Sequence, residues 1–267
     1  MPLIKEPIKL KNNDDDKYPF SVPIIKNLDF LDLSHNVTII VGENGSGKST
    51  LLEIVAMKLK LYRISFDSSY QDEEFLDLKQ AIKDFKITYK VKPQGFFFRS
   101  EDFITYLHFL EHAKREAYAE INRIKEEYQY KCTLAKSLAM MPHYRTLNDI
   151  ESMYNNPLLE VSHGESYLDF FKSRLKPNSL YILDEAEVPL SIQNQLTLLL
   201  MIKEAVDDGC QFIISTHSPV LMSYPNACLY EIKNDIIEKV SYDEITSVRL
   251  LKDFLNYKDN YLRHLFE

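Results

Sequence analysis

Runs of apolar positions, some alternating with polar ones and some recurring at helical spacing, divide the chain into short strands and amphipathic helices. Val37-Thr38-Ile39-Ile40-Val41 is an apolar run that ends in a glycine-rich loop, the mark of a buried strand. A helix with wide apolar coverage follows over residues 48–60, through Leu51, Leu52, Ile54, Val55, Met57 and Leu59. Phe85, Ile87, Tyr89 and Val91 alternate with Lys86, Thr88 and Lys90, which predicts a half-exposed strand of an antiparallel sheet. Phe96-Phe97-Phe98 predicts another buried strand after the Pro93-Gln94-Gly95 turn.

Between residues 103 and 140 the pattern changes. Leu107, Leu110, Ala117, Ile121, Ile124 and Tyr128 recur at helical spacing, with Glu and Lys or Arg on the other faces. This predicts a helical insertion, too short for a long coiled-coil arm. Strand character returns at Leu180-Tyr181-Ile182-Leu183 and at Gln211-Phe212-Ile213-Ile214-Ser215, with a helix from about 191 to 206 between them. Strand, helix, strand in that order predicts a crossover in a parallel sheet. Residues 226–241 read as a hairpin and residues 243–256 as a closing helix. The expectation is a single domain over residues 1–267, with a helical subdomain inserted over residues 101–165.

Composition narrows the partners. The 267 residues carry 32 Lys and Arg against 40 Asp and Glu, a formal charge of −8. A protein that grips phosphate backbones by itself needs a basic footprint, so this balance argues against DNA binding by the lone chain and against docking to an anionic membrane. Cys132, Cys210 and Cys228 are scattered and odd in number, which predicts reduced thiols in a cytoplasmic protein. No apolar run approaches the roughly 20 residues that span a bilayer, and no basic-then-apolar leader opens the chain. His108 and His112 stand four apart, a spacing that can bind a metal, but no third ligand is evident and two surface histidines are expected.

The chemistry is carried by Gly42-Glu43-Asn44-Gly45-Ser46-Gly47-Lys48-Ser49, which fits G-x-x-x-x-G-K-[ST] between a strand and a helix. Such a loop turns successive N–H groups toward phosphate oxygens, and the positive end of the following helix adds to that field. Lys48 is placed for the β- and γ-phosphates, Ser49 for Mg²⁺ and Thr50 for the α-phosphate. Asp184 ends an apolar strand and is followed by Glu185. One acid can hold Mg²⁺ through water and the next can act as general base.

Three further motifs occur in order: Ser162-His163-Gly164-Glu165-Ser166, the stretch Glu187 to Ser191, and Ser215-Thr216-His217-Ser218-Pro219. Together with the loop and the acid pair, this set resembles the ABC ATPase family: phosphate loop, signature, Walker B with catalytic Glu, D-loop and switch His. Within that family the chain is similar to small stand-alone bacterial ATPases of the SMC-like and RecF-like branch, which share S-H-G-E-S and F-F-x-R-x-E-x-F; the latter is Phe96 to Phe103 here. The resemblance implies a P-loop α/β fold with a mixed sheet. It also implies two copies stacked head to tail around two Mg-ATP, the signature residues Ser162, His163, Gly164 and Glu165 acting on the partner's nucleotide. Glu185 and His217 would be catalytic, with Ser49, Asp184 and Glu101 about the metal. His163 and Glu165 depart from the usual L-S-G-G-Q, and Ser191 stands where the D-loop commonly has Asp.

The resemblance also implies a metal- and water-sensing residue beside the aromatic strand: Gln94 precedes that strand and Glu101 follows it, and Glu101 is favoured because such a residue belongs at the strand's end, beside the insertion. Phe20 and Phe30 are candidates to stack on adenine, with core packing the competing role for each. Arg99 is open between anchoring the insertion and meeting phosphate. The function expected is an ATP-driven switch, dimerising on ATP and driving a protein partner in DNA repair or phage defence, with nucleic acid reached through that partner. The alternatives are the nucleotide-binding subunit of a membrane transporter and a non-hydrolysing ATP sensor.

Overall fold

A computed structural model describes residues 2–4, 6, 8–10, 17–64, 78–79, 82–89, 91–152 and 163–266. Seven strands form the main sheet: β3 (Val37–Gly42), β4 (Tyr62–Arg63), β6 (Gly95–Arg99), β7 (Leu180–Asp184), β8 (Gln211–Ser215), β9 (Cys228–Lys233) and β10 (Ile236–Val240). Their order is β10-β9-β3-β8-β7-β6-β4. Every neighbouring pair is parallel except β10 on β9, which are antiparallel. The sheet is therefore mixed, as expected. β1 (Ile8–Leu10), β2 (Phe30–Leu31) and β5 (Phe85–Lys86) make a small antiparallel sheet, ordered β2-β1-β5.

The inner strands β3, β7 and β8 are buried along nearly their whole length because both faces of the sheet are covered there. Successive residues feed opposite cores. Val41, Phe98, Leu183 and Ile214 join one cluster with the helices α5 (His163–Arg174) and α6 (Ile192–Asp207). Ile40, Phe97, Ile182 and Ile213 join the other with α1 (Pro23–Lys26) and α2 (Lys48–Leu59). On the first face Phe98, Phe103, Tyr167, Phe170 and Phe171 pack ring on ring, with centroids 4.8 to 6.0 Å apart. Parallel neighbours β7 and β8 are joined by α6, whose N-cap Ser191 accepts the Asn194 N–H at 3.2 Å.

The stretch read as one helical insertion is two helices, α3 (Ser100–Glu127) and α4 (Thr133–Ser152). The chain reverses over residues 128–132, and α4 returns to close a small core of Ala117, Ile121 and Leu147 with Met140. Periodicity does not mark this reversal, because each helix carries its own apolar stripe. Residues 153–162, the last part of the expected insertion apart from 163–165, lie outside the described residues.

Two further expectations change. Among the described residues, the strand read over residues 85–91 is paired at Phe85 and Lys86, with an isolated bridge from Tyr89 to Ile4. Val91 is 71% exposed, because the chain leaves the small sheet there to turn through Pro93 into β6. The closing helix is α8 (Thr246–Asn256) after a 3₁₀ turn at Tyr242–Glu244, and a further helix, α9 (Lys258–Phe266), follows it. Among the described residues no helix is long and apolar enough to cross a membrane.

Candidate functional site

β3 delivers the glycine loop to the C-terminal edge of the parallel sheet. Gly47 N-caps α2 at φ +91°, and a Cβ there would lie 2.4 Å from Ile24 Cγ2 and 2.7 Å from Val22 Cγ1. The loop thus needs glycine both for its backbone and for the close approach of α1. Lys48 opens α2 yet is only 4% exposed. Its Nζ donates to the carbonyl oxygens of Gly42 and Glu43, each at 2.8 Å. Burial holds its pKa below the ordinary lysine value, against the pull of Glu185, Asp184 and Glu187. Ser46 Oγ is buried with no partner among the described residues. A buried cation and an orphan hydroxyl inside one tight loop fit a polyanion such as a triphosphate. Ser49 and Thr50 stand half-buried in the first turn of α2.

The acids arrive on β7, two strands from β3. Asp184 is 4% exposed; its Oδ1 accepts the Ser215 hydroxyl. Its Oδ2 lies 3.5 Å from Arg99 Nε, an ion pair without hydrogen-bond geometry. Arg99 is the β6 residue in register with Asp184, and its Nη2 donates to Glu101 Oε2 at 2.9 Å. Glu185 sits at φ +53°, a turn held by its N–H to Ser215 O at 3.0 Å and by the Ser100 hydroxyl on its carbonyl. The Tyr167 hydroxyl donates to Ala186 O at 2.7 Å. His217 Nε2 lies 3.7 Å from Glu185 Oε1, and the His217 N–H donates to Glu187 Oε1 at 2.6 Å.

This geometry brings together Lys48, Asp184, Glu185 and His217 from the ends of three different strands. It also separates Gln94 from Glu101. Gln94 precedes β6 at the far edge of the sheet, where its carbonyl accepts the Leu180 N–H at 2.7 Å. A five-residue strand, about 16 Å at roughly 3.3 Å per residue, lies between it and the acids. Glu101 follows β6 on the same edge as Asp184, with its side chain 79% exposed and paired to Arg99. Arg99 therefore meets both an acid of the site and the first turn of α3. Phe20 is core, 4% exposed and stacked on Phe85 at 6.2 Å, while Phe30 is 64% exposed at the start of β2.

Of the signature residues, Ser162 lies outside the described residues, and His163, Gly164 and Glu165 form the first turn of α5. The same helix carries Tyr167 into contact with the acid turn. His112 is an exposed histidine 3.5 Å from Glu116. All three cysteines are free, Cys132 exposed and the other two buried.

Several residues with a bearing on the site were not predicted. Tyr167 and Ser100 hold the acid turn from remote parts of the chain. Arg63 on β4 bridges α2 and α3: it pairs with Glu53 Oε1 at 2.7 Å and with both oxygens of Asp102 at 2.9 and 3.1 Å. Glu187 opens the Glu187–Ser191 stretch singled out in the sequence, but its bond to the His217 backbone left no signal there.

A family model described as an AAA domain matches residues 20–138, from the turn before α1 through the glycine loop into α4. No curated protein matches the sequence. Among solved structures, the chain is similar to the Smc head domain of Pyrococcus furiosus bound to the C-terminal domain of ScpA, at 15% identity and TM-score 0.45, covering 95% of this chain and 100% of that one. The SMC head domain from Thermotoga maritima matches at 15% identity and TM-score 0.42, covering 90% and 98%. A dimeric bacterial ABC transporter cassette matches at 15% identity and TM-score 0.41, covering 89% and 98%. The matched AAA domain and the strand order bear out the resemblance to ABC-type P-loop ATPases read from the motifs.

Proposed function

We propose that the chain is an ATP-hydrolysing switch of ABC type, with residues 101–165 as a helical subdomain inserted in one domain. The observation that carries this reading is the convergence, on one edge of a parallel sheet, of buried Lys48 in its glycine loop with the Asp184–Glu185 turn and His217. A loop built only to connect β3 to α2 would not bury an ammonium among three carboxylates.

In this reading ATP is the substrate. The backbone N–H groups of residues 42–48 and the start of α2 bind its phosphates, and Lys48 exchanges its two carbonyl partners for phosphate oxygens. Ser49 and Asp184 would hold Mg²⁺, with Glu101 on the same sheet edge as the further candidate; the ion supplies neutralisation of the phosphate charge. Glu185 takes the proton of the attacking water, and His217 beside it orients that water. In this reading a second copy closes the γ-phosphate side with its own Ser162, His163, Gly164 and Glu165, the last three in the first turn of α5. Hydrolysis removes the contacts that favour closure, so the output is a change of shape passed to a partner protein in the cytoplasm, through which nucleic acid would be reached.

The test is Glu185→Gln weighed by light scattering with and without Mg-ATP, beside phosphate release from the unaltered chain. Expected are steady phosphate release, a Mg-ATP-dependent shift of the variant from one copy to two, and loss of that shift on adding Ser162→Arg. Bound ATP without phosphate release by the unaltered chain would refute hydrolysis; a variant that stays monomeric with ATP bound would refute the two-copy closure.

A further inference from the structure

Glu187 is an unusual acceptor for a backbone amide. It is 9% exposed. Its Oε1 takes the His217 N–H at 2.6 Å, at the short end for a charge-assisted bond, while Oε2 is buried with no partner among the described residues. One N–H needs only a carbonyl or an amide oxygen, and a buried carboxylate oxygen without a hydrogen bond carries a desolvation cost that those groups would not. The bond falls at a particular place. The flanks of the switch loop are secured otherwise: the Thr216 N–H donates to Ile40 O at 3.3 Å, the Ser218 N–H to Thr216 Oγ1 at 2.9 Å, and Ser218 Oγ to Gln195 Oε1 at 2.5 Å. Between them, the residue that Glu187 grips is the one whose ring faces Glu185.

Glu187 also shares its turn with Glu185. The Val188 N–H donates to Glu185 O at 3.1 Å and the Leu190 N–H to Glu187 O at 2.8 Å. One short turn therefore presents the Glu185 carboxylate and, two residues on, a strut that holds the His217 backbone at a set distance from it. We propose that Glu187 is a positioning residue that fixes His217 against Glu185 for hydrolysis; the inference rests on the ATPase reading above. It acts through His217 and touches no reacting atom.

Glu187→Met fills the same space without an acceptor, whereas Glu187→Gln keeps an oxygen for the amide. In the full chain, Met is expected to lower kcat by roughly 10- to 100-fold with KM little changed, because a misplaced group about 1 Å off can cost a hundredfold. Gln is expected to restore kcat to within about threefold, since a neutral bond keeps the geometry at reduced strength. Amide hydrogen exchange at His217 should rise with Met and recover with Gln. Adding Glu187→Met to His217→Ala should cause no further loss, as expected of two residues acting as one unit. Should Glu187→Met fail to fold, Glu187→Asp, one methylene short of the amide, is the second variant, expected between Gln and Met in both kcat and exchange. Wild-type kcat in Glu187→Met or Glu187→Asp, unchanged exchange at His217 in Glu187→Met, or losses that multiply in the double variant would overturn the assignment. An unaltered chain that binds Mg-ATP but releases no phosphate would overturn the ATPase reading and this inference together, whereas normal turnover in Glu187→Met would sink Glu187 alone.

Discussion

Tyr167→Phe removes the hydroxyl that ties α5 to the turn that carries the acids. The ring is fully buried and packs edge-on against Phe98 and Phe103, at 5.4 and 4.9 Å. Phenylalanine keeps all of that packing. What is lost is the hydroxyl on Ala186 O at 2.7 Å, leaving a carbonyl between Glu185 and Glu187 without its donor. A buried group stripped of its partner costs about 1–3 kcal/mol, so a value near 2 kcal/mol is expected. For a chain of this size that is a fall in melting temperature of roughly 4–8 °C. The control is Tyr181→Phe at the other end of β7. The Tyr181 hydroxyl accepts the Lys176 N–H at 2.6 Å, so stability should fall comparably while ATP turnover stays unchanged. Tyr167→Phe should lower both stability and turnover. Urea unfolding and phosphate release measure the two effects. A Tyr167→Phe chain as stable as the parent, or one that turns over as fast despite lower stability, would refute the claim that this hydroxyl holds the acid turn.

The half-buried ion network around Arg63 makes an asymmetric prediction. Arg63→Met strands Glu53 and Asp102 and should cost about 3–5 kcal/mol in urea unfolding. Burial lifts Glu53 above its ordinary carboxylate pKa, with Arg63 and Arg99 pulling the other way, so its favourable contribution is complete below pH 4.5 and is lost as pH rises through the folded-state value. Glu53→Gln should therefore stay within about 1 kcal/mol of the parent at pH 7, because Asp102 still takes Arg63 on both oxygens. Burial also raises the pKa of Tyr167, Tyr181, Tyr224 and Tyr230 above the ordinary value of 10. Stability should hold up to about pH 10 and then fall as the unfolded tyrosines ionise first, and Tyr167→Phe should flatten that fall by about 1.4 kcal/mol per pH unit. Gly95→Ala places a Cβ 1.9 Å from Leu180 O at φ +136°, so the start of β6 must shift off β7 and the variant should melt far below the parent or not accumulate at all.

What could be read from the chain follows a physical rule. The placement of the glycine loop, the acid pair and His217 is legible because each is a short run at the C-terminal end of its own strand, and a parallel sheet carries such ends to one edge without further information. The aromatic run of β6 is legible for the same reason, since both faces of that strand are covered. The strand expected over residues 85–91 is shorter because alternation reports a half-buried surface only while a partner strand lasts, and among the described residues continuous pairing stops at Lys86, with a lone bridge at Tyr89 beyond it. The groups that brace the site left no pattern because their bonds join remote residues: Ser100 to Glu185, Tyr167 to Ala186 and Arg63 to Asp102 are 85, 19 and 39 positions apart. A hydroxyl that donates one bond inside an aromatic core looks, in sequence, like any other tyrosine on an apolar helix face. Yet these bonds tie the root of the insertion and the start of α5 to the same few atoms of the acid turn. A shift of either helix would therefore bear on Glu185 and His217 first, through the hydroxyls of Ser100 and Tyr167.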